Sequence, residues 1–278
     1  MQTRSDPRPL AVARLGLGLS AVMLAVETHL FLARIARGAV SMPAFDWLPA
    51  PTILPVNGLL MIGVVSGFAL MVGYRSRLAA ALTVLCAASV VLWDQQTYSN
   101  HRMLIVLLCC YLAASNAGAV WSVDAIRRGK GAASVPHWPQ LLMMVQVSVC
   151  YLFAALSKIN PVFLSGDVLG DHVWWPLPNW VFPPLALATV AVELALAIGL
   201  WLPRVRALAA LMGLGLHASI VLMLREPVVL VTFALACLAI YPLFLSRPRP
   251  VGVVRSVRST RRTDELTTES VGPTRVRT

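Results

Sequence analysis

Eight long apolar segments, each of about 17 to 24 residues, divide the first 246 residues of the chain. A helix of about 20 apolar residues crosses the hydrocarbon core of a bilayer, because each residue advances about 1.5 Å along the helix axis. The segments lie at residues 10–33, 53–73, 77–93, 102–121, 139–160, 183–202, 204–224 and 227–246. This pattern predicts an all-α, polytopic integral membrane bundle of about eight transmembrane helices.

The composition excludes the main alternatives to this fold class. Only 13% of the residues are charged and 58% are hydrophobic, whereas a soluble domain carries about 25% charged residues. A cytosolic enzyme is therefore excluded, and apolar segments without alternating polarity exclude a membrane β-barrel. All five cysteines lie inside apolar segments, without a Cys-x-x-Cys pair. The sequence therefore predicts neither a disulfide framework nor a metal site.

The net charge is +11, and the basic residues are concentrated in every second connection between the segments. Their placement is therefore a topology signal. Arg4 and Arg8 precede the first segment, and clustered basic residues follow the second, fourth, sixth and eighth, whereas the loop 161–182 has no Lys or Arg. By the positive-inside rule both termini are predicted to be cytoplasmic, with the protein in the inner (plasma) membrane. The lipid bilayer is the expected partner, and no nucleic-acid partner is predicted.

Three regions follow from these boundaries. Residues 1–9 are predicted to be a short cytoplasmic N-terminus, 10–246 the transmembrane domain, and 247–278 a flexible basic cytoplasmic tail. The tail is rich in Arg, Ser and Thr and poor in large apolar residues, so it cannot bury enough surface to become ordered. Its positive charge would favour contact with anionic lipid.

Ionisable side chains within the segments are concentrated in the outer and central parts of the predicted bundle. Five different segments supply them: His29, His101, Lys158, Glu193 and His217. A charge at the bilayer centre costs at least about 2.5 kcal/mol, so such residues usually face a cavity or a partner. Their depth predicts a site that opens toward the extracytoplasmic side.

Helical spacing predicts which of the polar groups share a face. Residues seven apart differ by about 20° around the helix, so Tyr151 and Lys158 should share one face, with small alanines leaving room for a flat ring. The same spacing predicts a structural ion pair between Glu27 and Arg34. Two alternatives stay open: Lys158 as an anchor that extends to the outer interface, and the histidines as hydrogen-bonded packing residues.

Aromatic residues and prolines fill the loop 161–182 and the start of the next segment. They are Phe163, Trp174, Trp175, Trp180 and Phe182, with Pro176, Pro178, Pro183 and Pro184. Such residues are typical of an interfacial aromatic belt; the alternative is a proline-stiffened lid over the outer cavity. Both interpretations keep the loop outside the bilayer core.

Two stretches carry the pattern of a known family. In "QVSVCYLFAALSKINPVFLSG" at 146–166 the matching residues are Tyr151, Ala154, Ala155, Lys158, Ile159 and Gly166. In "YSNHRMLIVLL" at 98–108 they are Asn100, His101 and Leu104, and His217 matches a later membrane histidine. Both stretches resemble the horizontally transferred transmembrane (HTTM) domain family, also described as vitamin K-dependent γ-carboxylase-like. The resemblance spans most of residues 10–246.

The resemblance implies carboxylase-like chemistry, in which a reduced quinone, with O2 and CO2 as co-substrates, generates a base that removes a carbon-bound proton before CO2 adds. It implies that Lys158 acts as a base, that His101 orients the quinone oxygen, and that His217 does the same or stabilises negative charge. The cofactor-binding residues would be Tyr151, Asn100, Ala155 and His29. A lysine suits proton removal because burial disfavours its charged form. Glu193 is expected to form a buried hydrogen bond to a neighbouring segment.

Other functions stay open from the sequence. One is a non-enzymatic factor for the maturation or export of a secreted peptide, which needs the outer cavity but no proton-accepting lysine. Another is an electron carrier with His29 and His217 as haem ligands, for which the purified protein would show a Soret band. A transporter is a further alternative.

Overall fold

A computed structural model describes residues 3–225 and 227–246 and consists almost entirely of α-helices. The helices are α1 (Pro7–Ile35), α2 (Ile53–Val72), α3 (Ser76–Trp93), α4 (Asn100–Ala114), α5 (Val123–Arg127), α6 (Trp138–Lys158), α7 (Pro161–Leu164), α8 (Asp167–His172), α9 (Phe182–Gly199), α10 (Arg206–Met223), α11 (Pro227–Leu238) and α12 (Tyr241–Leu245). Two short strands, β1 (Arg4–Ser5) and β2 (Val135–Pro136), pair antiparallel.

Seven helical stretches in the described part of the chain are long and apolar enough to cross a membrane, the last formed by α11 and α12 together. The remaining predicted segment, the fourth, forms the shorter apolar helix α4. These helices confirm an all-α polytopic membrane bundle. The predicted flexible tail, 247–278, lies outside the described residues.

Two predicted segments differ from the helices that form. The fourth was expected to reach residue 121, but α4 ends at Ala114, where Ser115 becomes extended and its hydroxyl donates to the carbonyl of Leu112 at 2.7 Å. The last segment divides after Leu238 into α11 and α12. Pro242, near the start of α12, has no backbone N–H to continue an unbroken helix.

Helix α1 lies at the centre of the bundle and packs against α2, α3, α4, α11 and α12. Glycines allow α2 to approach it closely, because a Cβ added at Gly63 would lie 2.7 Å from Cβ of Ala25, and one at Gly67 would lie 2.9 Å from the backbone nitrogen of Val22. Small residues at such positions let membrane helices come into backbone contact.

The end of the bundle that carries the clustered basic loops is held by polar contacts. Strand β1 pairs with β2, and Gln140 Nε2 donates to Ser5 Oγ at 2.6 Å. The Asp124 carboxylate accepts hydrogen bonds from the backbone nitrogens of Arg75 and Ser76 and from Ser76 Oγ, at 2.7 to 2.9 Å. Partial burial raises the pKa of Asp124, but these hydrogen bonds and nearby Arg128 outweigh it and hold the pKa below its ordinary value.

The opposite end gathers the remaining loops. The buried carboxylate of Asp94 accepts from the backbone nitrogen of Met42 at 2.8 Å, which ties the loop after α1 to the connection between α3 and α4. Val173 forms a bridge with Leu224, and Trp174 Nε1 donates to the Leu224 carbonyl at 2.7 Å. Successive loops thus lie at alternate ends, as an up-and-down path requires. That this end is extracytoplasmic stays a prediction from the arginine distribution.

Candidate functional site

A cleft of about 760 Å³ lies between α4, α6 and α11, in the half of the bundle that contains the start of α4 and the end of α6. Apolar side chains form most of its wall, among them Met103, Leu104, Leu107, Phe153 and Phe233. The polar part of the wall consists of Asn100, His101, Gln146, Ser157, Lys158 and Glu193. A concave apolar surface with a few polar groups is the usual form of a small-molecule site.

Lys158 forms an ion pair with Glu193 at the wall of this cleft. Its Nζ lies 2.6 Å from Oε1 and 2.8 Å from Oε2 of Glu193, and it also donates to the Ala154 carbonyl at 3.3 Å. The Glu193 side chain is 7% exposed and that of Lys158 is 26% exposed. The expected bond from Glu193 to a neighbouring helix is therefore present, and its partner is the proposed base.

This pair gives Lys158 a proton acceptor within hydrogen-bond distance. An amine and a carboxylate in such contact can share a proton, either as ammonium and carboxylate or as neutral amine and carboxylic acid. Phe163 lies over the amine, with Nζ 5.8 Å from the ring centroid. The Lys158 amine is thus paired with a carboxylate and in contact with an aromatic ring.

His101 forms a second acid–base pair on the same cleft. Its Nε2 lies 3.0 Å from both carboxylate oxygens of Glu27, on α1. Buried Arg102 lies beside this pair, with Nη2 3.9 Å from Glu27 Oε1, and its Nη1 donates to Thr28 Oγ1 at 2.7 Å. The contacts of Glu27 therefore connect α1 to the outer start of α4.

The predicted ion pair between Glu27 and Arg34 is wrong. Seven residues on one helix are separated by about 10.5 Å along the axis, and Glu27 instead reaches His101 and Arg102 on the adjacent helix. Arg34 is exposed near the end of α1. Two side chains on the same helix face are therefore not close enough to pair when two helical turns separate them.

Tyr151 and His217 belong to a buried cluster rather than to the cleft wall. The Tyr151 hydroxyl lies 2.8 Å from Nε2 of His217 and 2.7 Å from the Tyr241 hydroxyl. Phe233, which lines the cleft, packs edge-on against the His217 ring at a centroid distance of 5.5 Å. One aromatic ring therefore connects the cluster to the cleft.

The structure brings some of the predicted site residues together and separates others. Lys158, His101 and Asn100 line the cleft. Tyr151 and Ala155 are 2% and 0% exposed and are absent from its wall, so of the predicted ring-binding strip on α6 only Ala154 and Lys158 line the cleft. The reason is that α10, α11 and α12 enclose one side of the bundle at the level of Tyr151, where the Tyr151 hydroxyl meets His217 and Tyr241.

His29 lies elsewhere, on a small cavity of about 20 Å³ between α1, α2 and α3. His217 is buried against Tyr151 of α6 and Phe233 of α11. The two histidines considered as haem ligands therefore contact different sets of helices.

Sequence reasoning missed three polar residues near the cleft. Glu27 was assigned to another partner, and Arg102 and Glu193 received no chemical role. All three are ionisable residues within or at the start of membrane helices, which was a signal that they needed partners. Arg102 in particular is 2% exposed, although it is the third residue of α4.

The aromatic connection after α6 is more ordered than a loop. It contains α7 and α8, and the exposed Trp174, Trp175 and Trp180 follow them. These segments surround a separate cavity of about 530 Å³, lined by Asp167, Asp171 and Arg225 among others. Among the loop aromatics, Phe163 is the one that lies over Lys158.

Comparison with known proteins agrees with this architecture. The family model of the HTTM domain matches residues 3–248, which is nearly the whole chain and covers every helix described above. No solved structure matches the chain. The residues of the cleft, on α4, α6, α9, α10 and α11, all fall within the matched region. This multi-pass membrane protein therefore belongs to the HTTM domain family.

Proposed function

We propose that the protein is a quinol-dependent, carboxylase-like enzyme of the plasma membrane, with its site in the cleft that contains Lys158 and Glu193. The observation that carries the proposal is the Lys158 amine, paired with a carboxylate at 2.6 Å on the wall of an apolar cleft. An amine in this position can exchange a proton both with the carboxylate and with a hydroxyl bound in the cleft.

The cleft suits a quinone ring with an apolar tail. Its volume of about 760 Å³ is within the usual range for small-molecule sites. Phe153 and Val149, 64% and 40% exposed, lie where α6 meets the surroundings, so an apolar tail can continue toward the lipid. Asn100 and His101 supply hydrogen-bonding groups for the ring oxygens. When bound, the reduced quinone would supply, with O2, the base strength that CO2 addition to a carbon acid requires.

Lys158 and Glu193 would handle a proton on the wall of the cleft. Transfer of a proton from Nζ of Lys158 to Glu193 leaves a neutral amine, and that amine can accept a proton from an acidic hydroxyl in the cleft. The Phe163 ring, with its centroid 5.8 Å from Nζ, lies on one side of the amine.

The choice of lysine also supports this role. Lys158 is one of two lysines among 23 basic residues, and the others are arginines. An interfacial anchor has no need of lysine in a chain that uses arginine nearly everywhere else, since both side chains extend to the interface. A group that must lose a proton does need it, because the guanidinium stays protonated in proteins.

The test is incorporation of labelled CO2 into glutamate-containing peptides by purified protein in proteoliposomes with reduced quinone. We expect Lys158→Arg to lower incorporation by about 10²-fold or more, with the amount of inserted protein unchanged. Lys130→Arg is the matched control, because Lys130 is exposed at the opposite end of the bundle. Wild-type activity in Lys158→Arg, or no activity in the wild type with any quinone, would refute the proposal.

A second candidate function is non-enzymatic assistance in the maturation or export of a secreted peptide. The observation that favours it is the separate cavity of about 530 Å³, which combines two carboxylates, one arginine and two tryptophans. Peptides bind to such a mixture of charged and aromatic groups. This function predicts that Asp167→Asn with Asp171→Asn abolishes peptide maturation, whereas Lys158→Arg leaves it intact.

A further inference from the structure

A second cavity, here called the outer chamber, adjoins the cleft. It has a volume of about 470 Å³ and is lined by the outer part of α1, the connection between α3 and α4, and the start of α11. Its polar lining includes Glu27, Arg34, Gln96, Tyr98 and Arg102. Val229 lines both cavities, so a shared wall separates them.

The hydrogen bond between His101 and Glu27 crosses this wall. His101 lines the cleft, whereas Glu27 lines the outer chamber. Nε2 of His101 lies 3.0 Å from each carboxylate oxygen, and the two side chains are 10% and 18% exposed. Among the described residues no hydrogen bond engages the second ring nitrogen, Nδ1. Nε2 of His101 is therefore hydrogen-bonded to a residue of the chamber, and Nδ1 is available for another hydrogen-bond partner.

Two guanidinium groups lie near Glu27. Arg102 approaches it from α4, and Arg34 lines the same chamber from α1. Thr97 and Thr28 fix the guanidinium of Arg102 at 2.8 and 2.7 Å, which keeps the positive charge in place. On α3, the thiol of Cys86 is the titratable group near Arg102. A carboxylate in hydrogen-bond contact with an imidazole is placed to accept its proton.

We propose that the outer chamber is filled with extracytoplasmic water and that the His101–Glu27 pair carries protons between this water and the cleft. His101 Nδ1 accepts a proton from the cleft, and the N–H bond at Nε2 breaks as its proton moves to Glu27. Glu27 then releases that proton to a water molecule in the chamber. Rotation of the imidazole then turns the N–H group at Nδ1 toward Glu27 and the unprotonated Nε2 toward the cleft, so that the next proton follows the same route with the two nitrogens exchanged. One proton enters and one leaves, and no electron is transferred.

The transport of protons out of the cleft rests on the proposed function, whereas the water-filled chamber does not. A purely structural ion pair would hold α1 against α4 equally well, so stability alone cannot separate the two roles. The difference lies in replacing Glu27 by Gln, which keeps the size and hydrogen-bonding capacity but cannot take up a proton at physiological pH.

The chamber is tested by thiol labelling in intact cells with a membrane-impermeant, positively charged reagent. We expect Glu27→Cys and Arg34→Cys to be labelled from outside, above the background set by the five native cysteines of the wild type. Labelling at residue 34 alone, or at neither position, in protein that keeps wild-type thermal stability would overturn the inference.

The relay is tested by labelled-CO2 incorporation in proteoliposomes. We expect Glu27→Gln to lose about tenfold or more of the wild-type rate, Glu27→Asp to keep most of it, and externally added formate to restore Glu27→Gln by carrying the proton. Asp46→Asn, an acid-to-amide change at an exposed loop residue, should have no effect. Formate should not rescue Lys158→Arg, whose defect is inside the cleft.

The outcomes separate the two proposals. An active wild type with an unlabelled position 27, or with a folded Glu27→Gln variant that formate does not rescue, would overturn the relay alone. An inactive wild type with a labelled position 27 would overturn the proposed reaction and leave the water-filled chamber standing.

Discussion

The hydroxyl oxygen of Tyr151 lies 2.8 Å from Nε2 of His217, and both side chains are buried. This hydrogen bond joins α6 to α10, and the Tyr241 hydroxyl extends it to α12. A buried imidazole that loses its partner retains the cost of its desolvation. The three side chains therefore form a polar link in an otherwise apolar part of the bundle.

We expect Tyr151→Phe to destabilise the protein by about 1 to 3 kcal/mol, because His217 Nε2 would be left buried without its partner. The measurement is the thermal transition in detergent. Tyr98→Phe is the matched control, since its side chain is 58% exposed. Equal stability of Tyr151→Phe and the wild type would show that the hydrogen bond contributes nothing to the folded state.

The Lys158–Glu193 pair should behave as a coupled unit in a double-mutant cycle. Glu193→Leu alone leaves the lysine without its carboxylate partner, and we expect a loss of about 3 to 5 kcal/mol. Lys158→Met together with Glu193→Leu should recover a large part of that loss, because no unpaired charge remains. Additive effects of the two single substitutions would argue against direct coupling.

Asp124 should contribute stability that depends on pH. Its pKa is lower in the folded protein than its ordinary value of about 4, so the contribution is fully present above about pH 4 and is lost as the pH falls through the folded pKa. We expect Asp124→Asn to lower the Tm at pH 7 and to differ less from the wild type near pH 3. Asp46→Asn, at an exposed position, should follow the wild type at both pH values.

The orientation in the membrane is open to direct measurement. Single cysteines at Ser165, in the aromatic connection, and at Ser256, outside the described residues, should react oppositely with an impermeant thiol reagent in whole cells. We expect labelling at 165 only, since the loop 161–182 has no Lys or Arg and the tail has many. Equal labelling at both positions would refute the up-and-down topology with eight membrane segments.

Hydropathy was sufficient to locate the membrane segments, because insertion into lipid depends on the apolar character of each segment. It overestimated α4, since the residues after Ala114 remain fairly apolar although Ser115 ends the helix. A hydropathy window measures average character and does not detect a cap formed by one hydroxyl.

The pairing of polar groups could be predicted only in part. Lys158 and His101 stood out because each is an ionisable residue at outer depth, and both line the cleft. The partner of each could not be read from helical periodicity, which relates residues within one helix. Glu193 and Glu27 pair with these residues from α9 and α1, and the choice of neighbouring helix depends on the packing of the whole bundle.

The central position of α1 has a consequence for how the protein is assembled during synthesis. α1 emerges from the ribosome first, yet Gly16 on this helix lies against Ala239, which follows α11 near the far end of the described chain. Strand β1 likewise can pair only after β2, about 130 residues later in the chain, has been synthesised. Each membrane segment can insert as it is made, but the face of α1 around Gly16 stays uncovered until the last segment is inserted. Loss of the last segment would thus leave the first helix exposed to lipid or to quality-control proteases.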